Sequence, residues 1–361
     1  MNSKRLCVFC GNKPESKNNE HILPQWLLKL TGDPKRTVNF GIDYKTGKTI
    51  RFDWKSLQVP SCKGCNEEFS DLENRSKDYI LAILDRKPLT SIEYSDFMDW
   101  LDKVRTGLWL NYILIQGNPT NIKPNFHIKS RLGQKDRMIA IYPIEGDEKG
   151  LNLYGAESLI FQRQPSCLGL RINNILIFNM SSDYLFSARS RFPYPKVCYT
   201  ALDGENPGMM HVSDFKTKSS IKHPLIKTKF FKPSIHIYQP IMAETDNKEF
   251  QSGYMGNYWR FDPDLADRIF PPYPSGKGKL YFQYIDRVEL IDDVNEMVHF
   301  QAITKKDSAT LRELHKQVYK FQIEIYESNE FRANDYELLK NKREVRKEIS
   351  RHHKKTISLL K

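Results

Sequence analysis

The sequence contains no apolar run approaching about 18 residues, and its mean hydropathy is −0.60. A helix that crosses a membrane needs a run of about that length, so the composition excludes one. Met1 to Leu6 is also too short to hold the apolar segment and cleavage site of a signal peptide before the first cysteine. These absences predict a cytoplasmic protein with no membrane partner.

Cysteine is scarce, with six residues in a chain of 361. Four of them nevertheless form two Cys-x-x-Cys pairs, Cys7/Cys10 and Cys62/Cys65, where random placement would give about 0.1 such pairs. Thiols in the cytoplasm stay reduced, and two such pairs can close a tetrahedral zinc site. Four thiolates leave no open position on the ion, so we expect a structural zinc. The pattern alone equally fits a zinc ribbon that only holds a loop or contacts a partner.

Three polar residues lie beside these pairs: Glu20 and His21 between them, and Asn66 directly after Cys65. Hydrolysis of a phosphodiester near neutral pH needs a base that activates water and a cation that neutralises the developing charge. Imidazole is the side chain whose pKa lies nearest that pH, and carboxylate and amide oxygens suit a hard ion such as Mg²⁺. The residue types therefore favour a nuclease, whereas a Glu-His pair elsewhere is more often a surface or core feature.

The strings Cys7–Gly11, Asn19–Pro24 and Cys62–Asn66, with Phe69 and Glu73 after them, resemble the zinc-binding branch of the HNH, or ββα-metal, endonucleases. In that family an acidic residue and a His lie together on a β-hairpin, and an Asn or His opens the following helix. The resemblance covers roughly the first fifth of the chain.

This resemblance implies that His21 is the general base and that Glu20 and Asn66 hold a catalytic Mg²⁺ or Mn²⁺, while the four cysteines hold the structural Zn²⁺. The family often has Asp at the position of Glu20. Its middle Asn, which braces the loop that carries the His, has no counterpart here, and Ser56 and Gln58 are the candidates for its hydrogen bonds. Glu73 is either a supporting partner of the site or, as we expect, a helix acid that faces solvent.

Periodicity and turn signals predict the local structure of the first third of the chain. Apolar spacing predicts helices, and alternation around a Lys-Thr-Gly-Lys turn predicts a basic hairpin that either lies along nucleic acid or simply faces solvent. The predicted elements are a helix over Gln25–Leu30, a hairpin over Thr37–Asp53, a helix that begins at Asn66, and helices over Asp78–Leu84 and Ser95–Ile115 with a break at Arg86–Thr90.

The rest of the chain is richer in β-branched and aromatic runs and then turns helical and basic. The runs that predict strands are Arg137–Ile144, Leu159–Gln162, Leu168–Asn179 and Leu280–Leu290, with a helix near Phe261–Ile269 and a helical stretch after Lys305. We expect an α+β protein in four parts: a zinc-stapled ββα-metal HNH module at 1–80, a helical connector at 81–116, a strand-rich mixed domain of unknown role at 117–304, and basic C-terminal helices at 305–361.

Charge points to a polyanionic partner, because the formal net charge is +12. The segment Lys340–Lys361 has nine Lys or Arg and two Glu, and so supplies +7 of that total. It is predicted to contact DNA, to form a homodimer through its helices, or only to be solvated.

Together these features predict a metal-dependent endonuclease that acts on DNA and, by analogy with nucleases joined to larger domains, serves in restriction or phage defence. An RNA nuclease stays open because the base and the metal act on the phosphate and need no 2′-hydroxyl. The other alternative is a non-catalytic, zinc-stabilised nucleic-acid-binding protein.

Overall fold

The computed structural model describes residues 6–117, 136–182, short strands between 194 and 216, and residues 233–239, 280–301, 308–328 and 336–360, apart from single positions within these ranges. Among the helices of these described residues, none combines the length and the apolar character that a membrane-spanning segment requires. The predicted helix at Phe261–Ile269 lies outside the described residues.

The N-terminal part contains a two-stranded ribbon, a hairpin and a long helix. In chain order its elements are β1 (Asn19–His21), α1 (Gln25–Leu30), β2 (Thr37–Ile42), β3 (Thr49–Asp53), β4 (Gln58–Pro60) and α2 (Lys63–Leu84), with one 3₁₀ turn at Trp54–Ser56. β1 and β4 pair antiparallel, so that Glu20 lies opposite Val59 and His21 opposite Gln58. The hairpin of β2 and β3 is inserted between the two strands of this ribbon.

Local hydrogen bonds and backbone conformations explain where the β2–β3 hairpin turns and where α2 ends. The Asp43 carboxylate accepts the backbone N–H groups of Lys45 and Thr46, and Gly47 has φ +68°, a value that favours glycine. α2 ends where Arg86 takes φ 61° before Pro88, which cannot continue a helix. These signals were read correctly from the sequence, although α2 starts at Lys63 rather than at Asn66, because Cys62 is its N-cap residue.

β5 (Leu89–Thr90) leads into the central helix α3 (Ser91–Ile115). Thr90 and Glu93 form a capping box at its start, since each side chain bonds the backbone of the other. Nearly every side chain of α3 from Tyr94 to Ile113 is buried. The apolar spacing therefore predicts packing correctly, but α3 packs on all of its faces rather than on one stripe.

The remaining described elements are a seven-stranded sheet, five short strands in separate two-stranded pairs, and three helices. In chain order they are β6 (Asp136–Pro143), β7 (Leu151–Tyr154), α4 (Leu159–Arg163), β8 (Cys167–Ile172), β9 (Ile175–Ser182), β10 (Tyr194–Pro195), β11 (Cys198–Thr200), β12 (Met210–Val212), β13 (Phe215–Lys216), β14 (Ile235–Gln239), β15 (Leu280–Gln283), β16 (Val288–Ile291), β17 (Met297–Val298), α5 (Ser308–Ser328) and α6 (Tyr336–Leu359).

Seven of these strands make one antiparallel sheet in the order β16-β15-β14-β6-β9-β8-β7. Alternate residues of β6 show that both faces are covered. Ile139 and Ile141 belong to the core shared with α3, whereas Met138 and Tyr142 pack with Leu314 and other residues of α5. Strands buried on both faces read as continuous apolar runs, which is why β6, β8 and β9 were predicted from the sequence. β7 and β14 belong to the same sheet but were not predicted.

One predicted strand is wrong: Leu159–Gln162 lies in the helix α4. The Ser158 hydroxyl accepts the N–H of Phe161 at 3.0 Å and caps the helix. A short apolar run fits a strand and a buried helix equally well, and only the cap distinguishes them. The predicted run at 168–179 is two strands, separated by a turn in which Asn173 has φ 49°. The chain as a whole is α+β as expected, although the boundary placed at residue 80 falls inside the continuous helix α2.

Candidate functional site

The four cysteines of the two Cys-x-x-Cys pairs converge. Their sulfur atoms lie within 4.8 Å of one another, and the sulfurs of Cys10 and Cys62 are 3.4 Å apart. Zn–S bonds of about 2.3 Å in a tetrahedron place sulfurs about 3.8 Å apart, so the arrangement fits a metal ion such as zinc. In the described part of the chain, this is the one group of three or more His, Cys, Asp or Glu side chains whose ligand atoms converge.

Backbone hydrogen bonds position both cysteine pairs at the end of the β1–β4 ribbon. The N–H of Val8 donates to Pro60 O at 3.0 Å, and the N–H of Cys62 donates to the sulfur of Cys7 at 3.2 Å. Hydrogen bonds from the Cys65 thiol and from the backbone of Cys10, Cys62 and Phe9 lower the pKa of Cys7 to about 4, whereas burial raises the pKa of Cys62 to about 12. One sulfur is thus ready to be a thiolate, and a bound cation would favour deprotonation of the neighbouring thiols.

His21 is half-buried on β1 and is held by two amides. Its Nε2 lies 2.9 Å from Gln58 Nε2 and 3.0 Å from Gln25 Nε2. Gln58 also donates to Lys55 O at 3.1 Å and accepts from Asn19 Nδ2 at 3.1 Å, which fixes the orientation of its amide. Of the two residues predicted to brace the His, Gln58 is therefore the one that contacts it.

The environment of His21 favours the neutral ring. Burial lowers the pKa of His21 below its ordinary value of 6.5, the nearby Glu20 opposes this shift, and Lys103 adds to it. Because Gln58 directs its NH₂ group at Nε2, that nitrogen carries the lone pair and the ring proton is on Nδ1.

Glu20 points to the opposite side of β1, as successive residues of a strand do. It is 5 % exposed, and its carboxylate accepts a 2.5 Å hydrogen bond from the ammonium group of Lys103 on α3. Lys103 donates a second bond of 2.5 Å to Glu73 on α2. Its Nζ also lies 5.9 and 5.6 Å from the ring centroids of Phe9 and Phe69. We call Glu20, Lys103 and Glu73 the buried ion cluster.

The buried ion cluster corrects one expectation. Glu73 does not face solvent: its side chain is 16 % exposed and is paired with Lys103. Burial raises the pKa of Glu73 to about 7, although the neighbouring ammonium opposes that shift. Two carboxylates against one ammonium leave an excess negative charge, which adds to the rise in the pKa of Glu73.

Asn66 lies in the first turns of α2 and is half-buried, and its backbone N–H donates to Cys62 O at 3.0 Å. Within the described part of the chain, no hydrogen bond joins its side chain to Glu20 or His21. The structure therefore brings His21 together with two glutamines and Glu20 together with Lys103, rather than collecting all three predicted residues in one contact group.

Lys103 is the residue that sequence reasoning missed. The available signal was a run of charged residues, Asp102, Lys103 and Arg105, inside a helix whose apolar spacing predicted burial. Buried charges require partners, so such a run predicts ion pairs with other elements, but it does not say which.

Comparison of the chain with protein-family models, with curated proteins and with solved structures found no match.

Proposed function

We propose that the N-terminal region is an endonuclease of the HNH type that hydrolyses DNA phosphodiester bonds with His21 as its general base. One observation supports this most strongly. A neutral, amide-held imidazole lies on a two-stranded ribbon that leads directly into a helix, and a four-cysteine cluster lies at the junction of ribbon and helix. An antiparallel ββ pair followed by a helix is the local architecture that the resemblance implies.

The proposed role of His21 follows from its contacts. Gln25 is exposed on α1, and its amide occupies the hydrogen-bonding position next to Nε2. Nε2 has one lone pair, toward which Gln58 also directs its NH₂ group. A water molecule that takes the place of both amides would lie within reach of this lone pair, which can then accept its proton as the water attacks phosphorus. In this scheme Gln25 is dispensable, whereas His21 is not.

A divalent ion such as Mg²⁺ or Mn²⁺, when bound, would neutralise charge on the phosphate and on the leaving oxygen. Glu20 and Asn66 stay its predicted ligands. Glu20 is a poor ligand as placed, because its carboxylate is buried and already neutralised by Lys103. It could bind an ion only if the ammonium of Lys103 withdrew.

The same ion pair favours a second candidate function, a non-catalytic protein in which the zinc-stapled region only binds nucleic acid. If the Glu20 carboxylate serves solely to neutralise Lys103, the Glu-His pair has lost its catalytic partner. The two functions differ in one measurable property, namely turnover of a phosphodiester.

The test is nicking of plasmid DNA by the zinc-loaded protein in buffer that contains no Mg²⁺ or Mn²⁺ and again after either ion is added, with total RNA digested in parallel. The variants are His21→Ala and Gln25→Ala, with His352→Ala as a control because this histidine is exposed on α6. We expect metal-dependent nicking that His21→Ala abolishes and the other two retain. Equal activity of His21→Ala would refute the assignment, DNA binding without cleavage would favour the second candidate, and preferential digestion of RNA would change the substrate.

We further propose that the nuclease acts in restriction or phage defence. We expect expression of the wild-type chain to be toxic or to protect cells from phage, and we expect His21→Ala to remove either effect. Unchanged toxicity of that variant would contradict the link.

A further inference from the structure

A cleft of about 600 Å³ opens between the β2–β3 hairpin and β7, the edge strand of the seven-stranded sheet, and α5 forms part of its wall. Thr37 and Asn39 of the hairpin line one side, and Asn152, Tyr154, Glu157 and His315 line the other. Pockets of this size hold small organic ligands. One wall therefore comes from the zinc-stapled N-terminal region and the other from the sheet.

The side of the cleft formed by β7 and α5 combines an aromatic pair with a carboxyl group. The rings of Tyr154 and His315 are 4.6 Å apart between centroids. His315 Nε2 is buried and has no hydrogen-bond partner among the described residues, since the nearest oxygen of Glu157 is 4.0 Å away. A buried polar atom without a partner is costly unless a ligand or water completes it.

Glu157 is held in place while part of it stays accessible. Tyr319 donates a hydrogen bond to its Oε1, and 37 % of its side chain is exposed. Burial of the carboxyl group raises the pKa of Glu157.

The loop that carries Glu157 is built for close packing. Gly155 has φ +88°, and a Cβ there would lie 2.6 Å from Val318 Cγ1 and from Gln322 Nε2. Gln322 in turn donates to Gly155 O at 2.9 Å and accepts from the Ser158 hydroxyl at 2.7 Å. Glu157 is thus attached to a loop fixed against α5, so the polar groups of this wall are pre-positioned for a ligand.

The charges of the cleft indicate which ligand it suits. Its one guanidinium, Arg36, already donates to Leu28 O, Asp33 O and Thr31 Oγ1. The residues that line the cleft therefore offer no further guanidinium or ammonium group to pair with a polyphosphate. A flat, neutral ring with N–H donors and acceptors on its edge fits better, because the aromatic pair offers a surface for stacking and Glu157, Asn39 and Asn152 offer hydrogen bonds to the edge.

We propose that this cleft binds a nucleobase, with the ring against Tyr154 and His315 and the base edge directed at Glu157. The base could belong to a free nucleoside or to an unstacked nucleotide of a DNA strand, and both present the same chemistry. The site is distinct from the four-cysteine cluster and from His21, so it stands whether or not the chain is a nuclease.

The experiment first measures binding of guanosine, adenosine, cytidine and thymidine to the full chain by calorimetry. A second arm measures binding of two kinds of duplex oligonucleotide: one in which a single base lies opposite an abasic site and is therefore unstacked, and one in which every base is paired. Asn39→Trp fills the cleft from an exposed position of the hairpin, and Lys48→Trp is its matched control, because Lys48 is an exposed hairpin residue that does not line the cleft. Glu157→Gln tests the edge contact and leaves an oxygen for Tyr319. Zinc content and thermal unfolding verify that each variant is folded.

We expect one base class to bind, with at least a tenfold loss of affinity in Asn39→Trp and Glu157→Gln and no loss in Lys48→Trp. Binding of free nucleosides assigns a small-molecule ligand, and binding only of the unstacked base in an oligonucleotide assigns the nucleic acid strand. Absence of binding in both arms, or equal binding by Asn39→Trp and the wild type, would overturn the proposal.

Discussion

Replacing Lys103 by Met tests the buried ion cluster directly. Met keeps the length and much of the packing of the Lys stem but removes the ammonium group. That group is 2 % exposed and bonds Glu20 and Glu73 at 2.5 Å each, so both carboxylates would stay buried without a cation. The variant therefore creates uncompensated charge rather than a cavity.

The expected magnitude follows from the burial. Breaking a buried ion pair by removing one partner costs about 3–5 kcal/mol, and Lys103 also gives up cation–π contacts with Phe9 and Phe69. We expect the free energy of unfolding to fall by about 3–5 kcal/mol at pH 8.

The loss depends on pH in a defined direction. Burial already raises the pKa of Glu73 to about 7 in the wild type, above its ordinary value of 4.5, and the ammonium of Lys103 opposes this shift, so its removal raises the pKa of Glu73 further. A carboxyl group with a raised pKa stabilises the fold only while protonated, so its contribution is present below the unfolded pKa and is lost as pH rises through the folded pKa. The difference between variant and wild type should therefore shrink at pH 5.

Urea unfolding at pH 5 and pH 8, followed by tryptophan fluorescence with zinc content measured in parallel, provides the assay. The control is Lys63→Met in the exposed pair with Glu67, which are 74 % and 67 % exposed and 3.7 Å apart, and we expect it to lose only a small part of what Lys103→Met loses. A Lys103→Met variant that is as stable as Lys63→Met at pH 8, or whose deficit is the same at both pH values, would refute the reasoning.

Three further predictions concern the site and the histidines. His21→Ala should slow plasmid nicking by at least about 10²-fold while zinc content and thermal unfolding stay as in the wild type, and a folded, active variant would exclude His21 as the base. Cys10→Ser should lose stoichiometric zinc and unfold at lower temperature, because the binding free energy of a structural metal is largely folding free energy; a melting curve like that of the wild type would contradict the staple. Burial lowers the pKa of His236 to about 3 and those of His315 and His353 to about 4, so the unfolded chain binds up to three more protons below pH 6.5. The contribution of these histidines to the free energy of unfolding is therefore fully present above pH 6.5, and it falls toward pH 4 by up to about 4 kcal/mol per pH unit. Midpoints of urea unfolding that do not change between pH 7 and pH 5 would contradict this prediction.

The sequence predicted the four-cysteine cluster because a Cys-x-x-Cys spacing acts locally: each short loop turns two sulfurs to one side. It also predicted α1 and the β2–β3 hairpin, since apolar spacing and turn residues are likewise local signals. The β1–β4 ribbon required more, because its strands lie on either side of the inserted hairpin and only their pairing places His21 opposite Gln58.

The partner of Glu20 could not be predicted in the same way. Lys103 lies 83 positions away along the chain. The apolar periodicity of its helix predicts that the helix is buried, but it does not predict which other element the helix packs against. The same limit applies to the cleft, since Tyr154 and His315 meet only because the end of β7 packs against α5. Long-range contacts between charged or aromatic side chains leave no periodic trace in the sequence.

The burial of α3 on all sides has a consequence for engineering. Its Lys103 pairs with Glu20 and Glu73 of the N-terminal region, its Asn111 donates to Gln58 O at 2.9 Å, and its Ile113 belongs to the core shared with the sheet. Residues 1–80 expressed alone would keep all four cysteines and yet lose the cation that neutralises Glu20 and a brace of the strand that holds His21. The N-terminal region is therefore not a transplantable cassette, and a graft into another protein would have to carry α3, together with a surface that covers its far side.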